Sequence, residues 1–332
     1  MLQRMTLDEI RGLVAADMVA VDAVIRTRLK SAVPLVDQVA EHIIAGGGKR
    51  LRPLIVLLAA HAASGGRPIA HGKHLEAAAF IEFIHTATLL HDDVVDHSNL
   101  RRGRDTANAV FGNEASVLVG DFVYSRAFQM MAAAGSQRVM EIMADATNVI
   151  AEGEVLQLMN AHDPGTTEER YLEVIYRKTA RLFEAGAQVA AVFCGGDARA
   201  EEALAAYGRH LGAAYQLIDD VLDYRSDPAT RGKNLGEDLA EGKPTLPLIH
   251  ALRNSTGDEA EAIRRVIRHE DEDLPDMTQI IATIDRTGGI DYTRERAEAE
   301  SRKAVEVLGV LPPSPCRDGL AALALVAVGR DR

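Results

Sequence analysis

The chain has no tryptophan, and aromatic residues fill only 4% of its 332 positions. With 47% hydrophobic residues its core must come from aliphatic and alanine-rich helix packing. Two cysteines, Cys194 and Cys316, are too few for a disulfide framework and fit a reducing cytosol. No uncharged apolar run reaches the about 18 residues that a membrane helix needs. The best candidate, near Leu54, is flanked by Arg52 and interrupted by His61. Arg4, Asp8 and Glu9 break up the N-terminus, so it does not read as a signal peptide. A soluble, cytoplasmic protein is expected. Basic excess is also missing. A net charge of -12 excludes a general affinity for nucleic acid or anionic lipid, so any cations at a site must be placed locally.

Alternating strand patterns of useful length are absent, whereas helix signals recur. Thr6-Leu7-Asp8-Glu9 reads as a capping box, and so does Thr166-Thr167-Glu168-Glu169. Gly46-Gly47-Gly48 ends one helix, and Pro53 suits the first turn of the next. Long helices are expected over Lys73 to Asp96 and Ala200 to Tyr224. No shift in composition marks a boundary. The expectation is one all-α domain, residues 1–332, built as a helical bundle around a central cavity.

Within that bundle one acidic pattern occurs twice, as Asp92-Asp93-Val94-Val95-Asp96 and Asp219-Asp220-Val221-Leu222-Asp223. In a helix the first and last Asp of each cluster share a face, about one turn apart. Carboxylates this close repel one another and are costly to desolvate, which makes sense if they share cations. Hard oxygen donors favour Mg²⁺, which keeps waters and binds substrate phosphates as well. The pattern predicts a grip on a diphosphate between two facing helices.

Cations follow at chosen places. Arg101-Arg102-Gly103-Arg104 stands just past the first cluster, where arginine can take phosphate charge bidentately. Lys49, Arg50 and Arg52 stand at the glycine-rich junction before Pro53, which suits a second anion bound without metal. A nucleotide P-loop is excluded because its glycine spacing is missing. Lys233 and Lys243 lie in a polar segment, Asp227 to Lys243, that reads equally as a lid or as a solvated loop. Lys178-Thr179 and Gln216 read by themselves as ordinary helix polar residues. His85 and His91 lie about 240° apart around a helix axis, which argues against a shared metal ion and hence against a phosphohydrolase.

Taken together these residues resemble the trans-isoprenyl diphosphate synthases, or polyprenyl synthetases, and their long-chain bacterial members above all. The likeness covers essentially the whole chain. It is carried by Phe83-Ile84-His85-Thr86-Ala87-Thr88-Leu89-Leu90-His91 running into the first acidic cluster, and by Gly120-Asp121-Phe122, Ala151-Glu152-Gly153-Glu154 and Gly242-Lys243-Pro244-Thr245. The resemblance implies the isoprenoid synthase fold, a homodimer and Mg²⁺. It implies that Asp92, Asp96 and Asp219 bind the metal, with Asp93, Asp220 and Asp223 supporting the charge. Arg101, Lys178, Lys233 and Lys243 would hold the allylic diphosphate, and Lys49, Arg52, His85 and Arg102 isopentenyl diphosphate. Thr179 and Gln216 would face the reacting carbons, and Arg330 and Arg332 would close over the site.

Product length is expected to be set along the helix of the first cluster. Asp92, Thr88 and Ile84 form a ridge at i, i+4, with Ala87 beside it. Early-stopping relatives usually carry an aromatic ring at the Ala87 position, so alanine implies an open passage. Met130 and Met131 are candidates for its floor, equally readable as core. An octaprenyl product for a quinone side chain is expected. Nonaprenyl, decaprenyl or shorter products are the alternatives, as is a non-catalytic subunit of a heteromeric synthase. Release of so apolar a product implies transient membrane contact.

Overall fold

The computed structural model describes residues 5–69, 72–101, 103–225, 237–269 and 277–330. Helices account for nearly all of its regular structure. They run α1 (Leu7–Gly12), α2 (Ala15–Arg28), α3 (Pro34–Ala45), α4 (Leu51–Ser64), α5 (Lys73–Val95), α6 (Ala107–Phe111), α7 (Asn113–Ala133) and α8 (Gln137–Asn160). Then come α9 (Glu168–Val174), a π-helical turn (Ile175–Ala180), α10 (Arg181–Phe193) and α11 (Ala198–Asp223). The last are α12 (Glu237–Ala240), α13 (Leu246–Arg253), α14 (Gly257–Arg268), α15 (Met277–Arg286), α16 (Gly289–Val307) and α17 (Pro315–Val328). Among the described residues no helix is long and apolar enough to cross a membrane.

Local chemistry accounts for most of these boundaries. The capping box at Thr6 forms in full, with Glu9 Oε2 accepting from the Thr6 amide at 2.7 Å. At the second expected box the cap shifts by one residue, and Thr167 rather than Thr166 accepts the Arg170 amide. One short antiparallel pair, Leu100–Arg101 with Arg104–Asp105, interrupts the helices. Two residues per strand are too few to carry a period, so the alternation rule had nothing to detect there.

The chain divides into two compact units. The first comprises Met1–Thr147, Leu182–Gly208 and Val305–Leu323. Its centre is α4, which is apolar nearly all round, with Leu54, Leu57 and Leu58 fully buried. Phe80, Ile81, Phe83 and Ile84 of α5 join that core. Helices α5 and α7 pack extensively, and Gly120 permits their approach, since a Cβ there would collide with the His91 ring. The second unit comprises Asn148–Arg181, Arg209–Ala304 and Ala324–Arg332. It holds two apolar clusters, one around Val221, Tyr224 and Leu248, the other around Tyr171, Leu217 and Leu222.

An ion pair in this second unit sets an acid limit. Burial pushes the Glu300 carboxyl up, but hydrogen bonds from His210 at 2.6 Å and Lys303 at 2.7 Å outweigh it and hold it at about 2. A carboxyl held below its ordinary value adds stability at neutral pH, which is lost as the pH falls through the folded-state value. Glu300→Gln is therefore expected to lower the Tm at pH 7 and to leave it unchanged near pH 2. Thermal melts across that range measure the difference.

Candidate active site

The first acidic cluster closes α5 in the first unit. Asp92 and Asp96 are half-buried, and the Asp96 amide donates to the Asp92 carbonyl at 2.8 Å as the helix ends. Asp93, between them, is only 4% exposed. Arg101 donates to one Asp93 oxygen through Nε at 2.8 Å and Nη2 at 2.7 Å. Asp93 is thus paired with Arg101, and Asp92 and Asp96 share a face at i, i+4.

His85, two turns earlier on α5, lines a cavity of about 90 Å³ with Arg50, Glu82, Arg101 and Arg104. Among the described residues lining it, Arg50 stands where the sequence pointed to its neighbours Lys49 and Arg52. The reason is local. Arg50 caps α4 in the left-handed region at φ 42°, and its guanidinium meets Glu82 at 2.7 Å. Arg52 instead lies over the Phe183 ring at 4.6 Å, and the Lys49 carbonyl accepts from Arg11. His91 sits 3.4 Å from Asp121 through Nε2 and does not line the His85 cavity, in line with their separation around the axis. Arg102 lies outside the described residues.

Of the residues proposed for chain length, Ile84, Ala87, Met130 and Met131 are packed core and Thr88 is half-buried. Ile84 and Ala87 are fully buried, Met130 is 3% and Met131 1% exposed, and the Thr88 hydroxyl donates to the His85 carbonyl.

In the second unit a cavity of about 170 Å³ gathers Lys178, Thr179, Gln216, Asp220 and Lys243. Lys178 and Thr179 stand on the π-helical turn, a feature that often marks functional sites. The Thr179 hydroxyl donates to Gln216 Oε1 at 3.1 Å, and Gln216 Nε2 donates to Asp220 Oδ1 at 2.8 Å. Gln216 therefore serves Asp220, one turn on, rather than Asp219. Lys178 Nζ lies 2.6 Å from Glu154, and Lys243 Nζ 2.5 Å from Glu241.

The second acidic cluster also divides its labour. Asp220 is 3% exposed and accepts the Tyr171 hydroxyl. Burial, then the nearby Asp238 charge, pushes its carboxyl well above the usual range, against the Tyr171 and Gln216 hydrogen bonds. Asp223 is buried and accepts the Asp238 amide at 3.2 Å. Asp219 is the more accessible, and Arg330 Nη1 reaches its Oδ1 at 3.0 Å with the guanidinium 3.9 Å over the Tyr215 ring. Lys233 and Arg332 lie outside the described residues. Tyr171, Glu154 and Asp238 escaped the sequence reading. Glu154 stands in a quoted motif and was within reach, but nothing local marks Tyr171 or Asp238 as partners of Asp220.

Oxygen-rich acid clusters, paired cations and two cavities suit the handling of diphosphates. A family model for polyprenyl synthetase matches residues 33–284. Octaprenyl diphosphate synthase of Escherichia coli (strain K12) is 53% identical over 328 residues, 99% of this chain and 100% of that protein. All-trans-nonaprenyl-diphosphate synthase (geranyl-diphosphate specific) of Rhodobacter capsulatus is 45% identical over 96% of both chains. A crystal structure of polyprenyl synthase from Caulobacter crescentus CB15, complexed with calcium and isoprenyl diphosphate, matches with a TM-score of 0.94 at 44% identity, covering 99% of both chains. The chain belongs to the polyprenyl synthetase family. It is a prenyl-transferring enzyme with the all-helical isoprenoid synthase fold.

Proposed function

We propose that the chain is an all-trans-octaprenyl diphosphate synthase. It condenses isopentenyl diphosphate head-to-tail onto an allylic diphosphate such as farnesyl diphosphate, in the cytoplasm, to supply a quinone side chain. The carrying observation is 53% identity along the full length of an octaprenyl diphosphate synthase, in a chain that keeps both acidic clusters whole. Whole clusters also disfavour a non-catalytic subunit. We take residues 1–332 as one catalytic domain, since α8, α11, α16 and α17 each run through both compact units. A homodimer is supported by exposed apolar side chains, Leu118 on α7 and Leu158 and Met159 on α8.

The donor set fits Mg²⁺. Asp92, Asp96 and Asp219 offer carboxylate oxygens that are not fully buried. Bound there, the cation supplies charge stabilisation to the leaving diphosphate. Lys178, Lys243 and Arg101 add theirs by exchanging Glu154, Glu241 and Asp93 for diphosphate oxygens. Lys233 and Arg102 belong to the same two binding groups. His85, Lys49 and Arg52, with Arg50 added, take isopentenyl diphosphate. Thr179 and Gln216 present oxygen dipoles to the developing allylic cation. The allylic C–O bond breaks with its electrons leaving on diphosphate. The isopentenyl double bond forms the new C–C bond, and a proton passes to a diphosphate oxygen. Enclosure keeps water from quenching the cation.

Incubating the purified protein with farnesyl diphosphate, isopentenyl diphosphate and Mg²⁺, followed by mass spectrometry, tests the reading. An octaprenyl product supports it; release of phosphate or diphosphate without C–C bond formation removes it. Ala87→Phe is expected to shorten the product by at least one unit, because the ring fills the site of a fully buried alanine beside Ile84. An unchanged product length with the variant folded would remove the passage along α5.

Product release should limit turnover. Each isoprene unit buries about five carbons, so contact is worth about 4 kcal/mol per unit. Eight units give about 32 kcal/mol gross, beyond the roughly 20 kcal/mol ceiling of noncovalent affinity. Ordering and incomplete contact offset much of it, yet the tail stays tightly held. A first-turnover burst is expected, and lipid vesicles or detergent should raise the steady-state rate by accepting the tail.

A further inference from the structure

Away from both acidic clusters, three side chains of the first unit converge. Asp17 comes from the first turn of α2, His61 from the last turn of α4 and His74 from the first turn of α5. His61 Nε2 lies 2.6 Å from Asp17 Oδ2, and His74 Nε2 lies 3.5 Å from the same oxygen. The two imidazoles meet edge to face, with centroids 5.8 Å apart. One donor atom from each of the three residues lies within 4.8 Å of the others.

A simple ion pair accounts for His61 and Asp17, but not for His74. That ring is only 7% exposed, and its Nδ1 is buried without a hydrogen-bond partner. Its other nitrogen is too far from Asp17 for a good hydrogen bond. A buried imidazole that no strong hydrogen bond orients is costly unless something else holds it. Burial lowers its pKa, against the pull of Asp17 and together with the push of His61, which favours the neutral form that binds metals.

The geometry points to a zinc site formed by Asp17, His61 and His74. Two imidazoles and a carboxylate, with water in the fourth position, make a tetrahedral Zn²⁺ set, whereas Mg²⁺ prefers oxygen and leaves such a site to softer ions. The ion would tie α2, α4 and α5 together in the first unit. It would act on stability and take no part in diphosphate chemistry.

The test uses full-length protein stripped by chelator and held in millimolar Mg²⁺. Titration with Co²⁺ alone should give visible d–d bands of a tetrahedral site, saturating at one equivalent. Zn²⁺ should displace Co²⁺ and raise the Tm by about 3 °C or more. His61→Gln, at a partly exposed position, should keep the fold and weaken Zn²⁺ binding by at least about 100-fold. His74→Gln should do the same if it folds. Prenyl elongation by His61→Gln in Mg²⁺ should match the parent, which keeps this result separate from the proposed catalytic function. Absence of tetrahedral bands, or equal Zn²⁺ affinity in His61→Gln, would overturn the site.

Discussion

Asp92→Asn is expected to lower kcat/KM by about 10³-fold or more, the largest single effect in the first unit. The structure gives the reason. Of the three carboxylates ending α5, Asp93 is consumed by Arg101, whose Nε and Nη2 both donate to the same oxygen. Asp92 and Asp96 are half-buried and share one face. Magnesium usually takes only one or two protein carboxylates and completes its shell with water and phosphate. On the proposed function, neutralising Asp92 removes one of the carboxylates that hold it. A tenfold loss corresponds to about 1.4 kcal/mol, so 10³ corresponds to about 4 kcal/mol, within the range of one lost charged contact at a transition state. Raising Mg²⁺ should recover part of the loss by mass action, with little change in Tm. Asp93→Asn should behave differently. It frees Arg101 and loosens the turn that follows α5, so its loss should resist added Mg²⁺ and come with a lower Tm. If the two variants respond alike to Mg²⁺, the division of labour within the cluster is wrong.

Gly153→Ala is expected to lower kcat by roughly 100-fold although it adds only one methyl group. A Cβ at Gly153 would stand 2.7 Å from the Arg177 Cβ and 2.8 Å from the Lys178 amide nitrogen. Neither neighbour is the free end of a flexible side chain, so the backbone of the π-helical turn must yield. That turn carries Lys178, paired to Glu154, and Thr179, bonded to Gln216. Displacement by even about 1 Å disturbs groups aimed at reacting atoms, and overpacking costs about 1–3 kcal/mol of stability as well. Gly12→Ala supplies the control. Its added Cβ meets nothing within 4 Å, and its activity and Tm should match the parent. Steady-state kinetics with thermal melts on both variants decide the matter. Normal kcat in Gly153→Ala would mean that the close approach of α8 to the turn does not position Lys178.

Much of the candidate site was legible because its signals are local. Asp92 and Asp96, or Asp219 and Asp223, are one helical turn apart by sequence alone. The capping box at Thr6 and the glycines before α4 mark helix ends through bonds made within a few residues. The resemblance extended these local readings to Lys178, Thr179 and Gln216, which line one cavity in the second unit. It was less sharp over the basic junction. Three neighbouring cations looked alike in sequence, and only the left-handed turn at Arg50 directs that guanidinium to Glu82 beside the His85 cavity.

Sequence alone determined the helical character of the chain, the two acidic clusters and the family, because periodicity, caps and motifs are written within one or two turns. Tertiary structure decided which distant partner each of these side chains meets. Asp220 is held by Tyr171, 49 residues away, Asp219 by Arg330, 111 away, and His61 meets Asp17 across 44. Contacts at such separations exist only once the chain has packed, since burial and helix crossing, not local spacing, bring those groups within reach of one another.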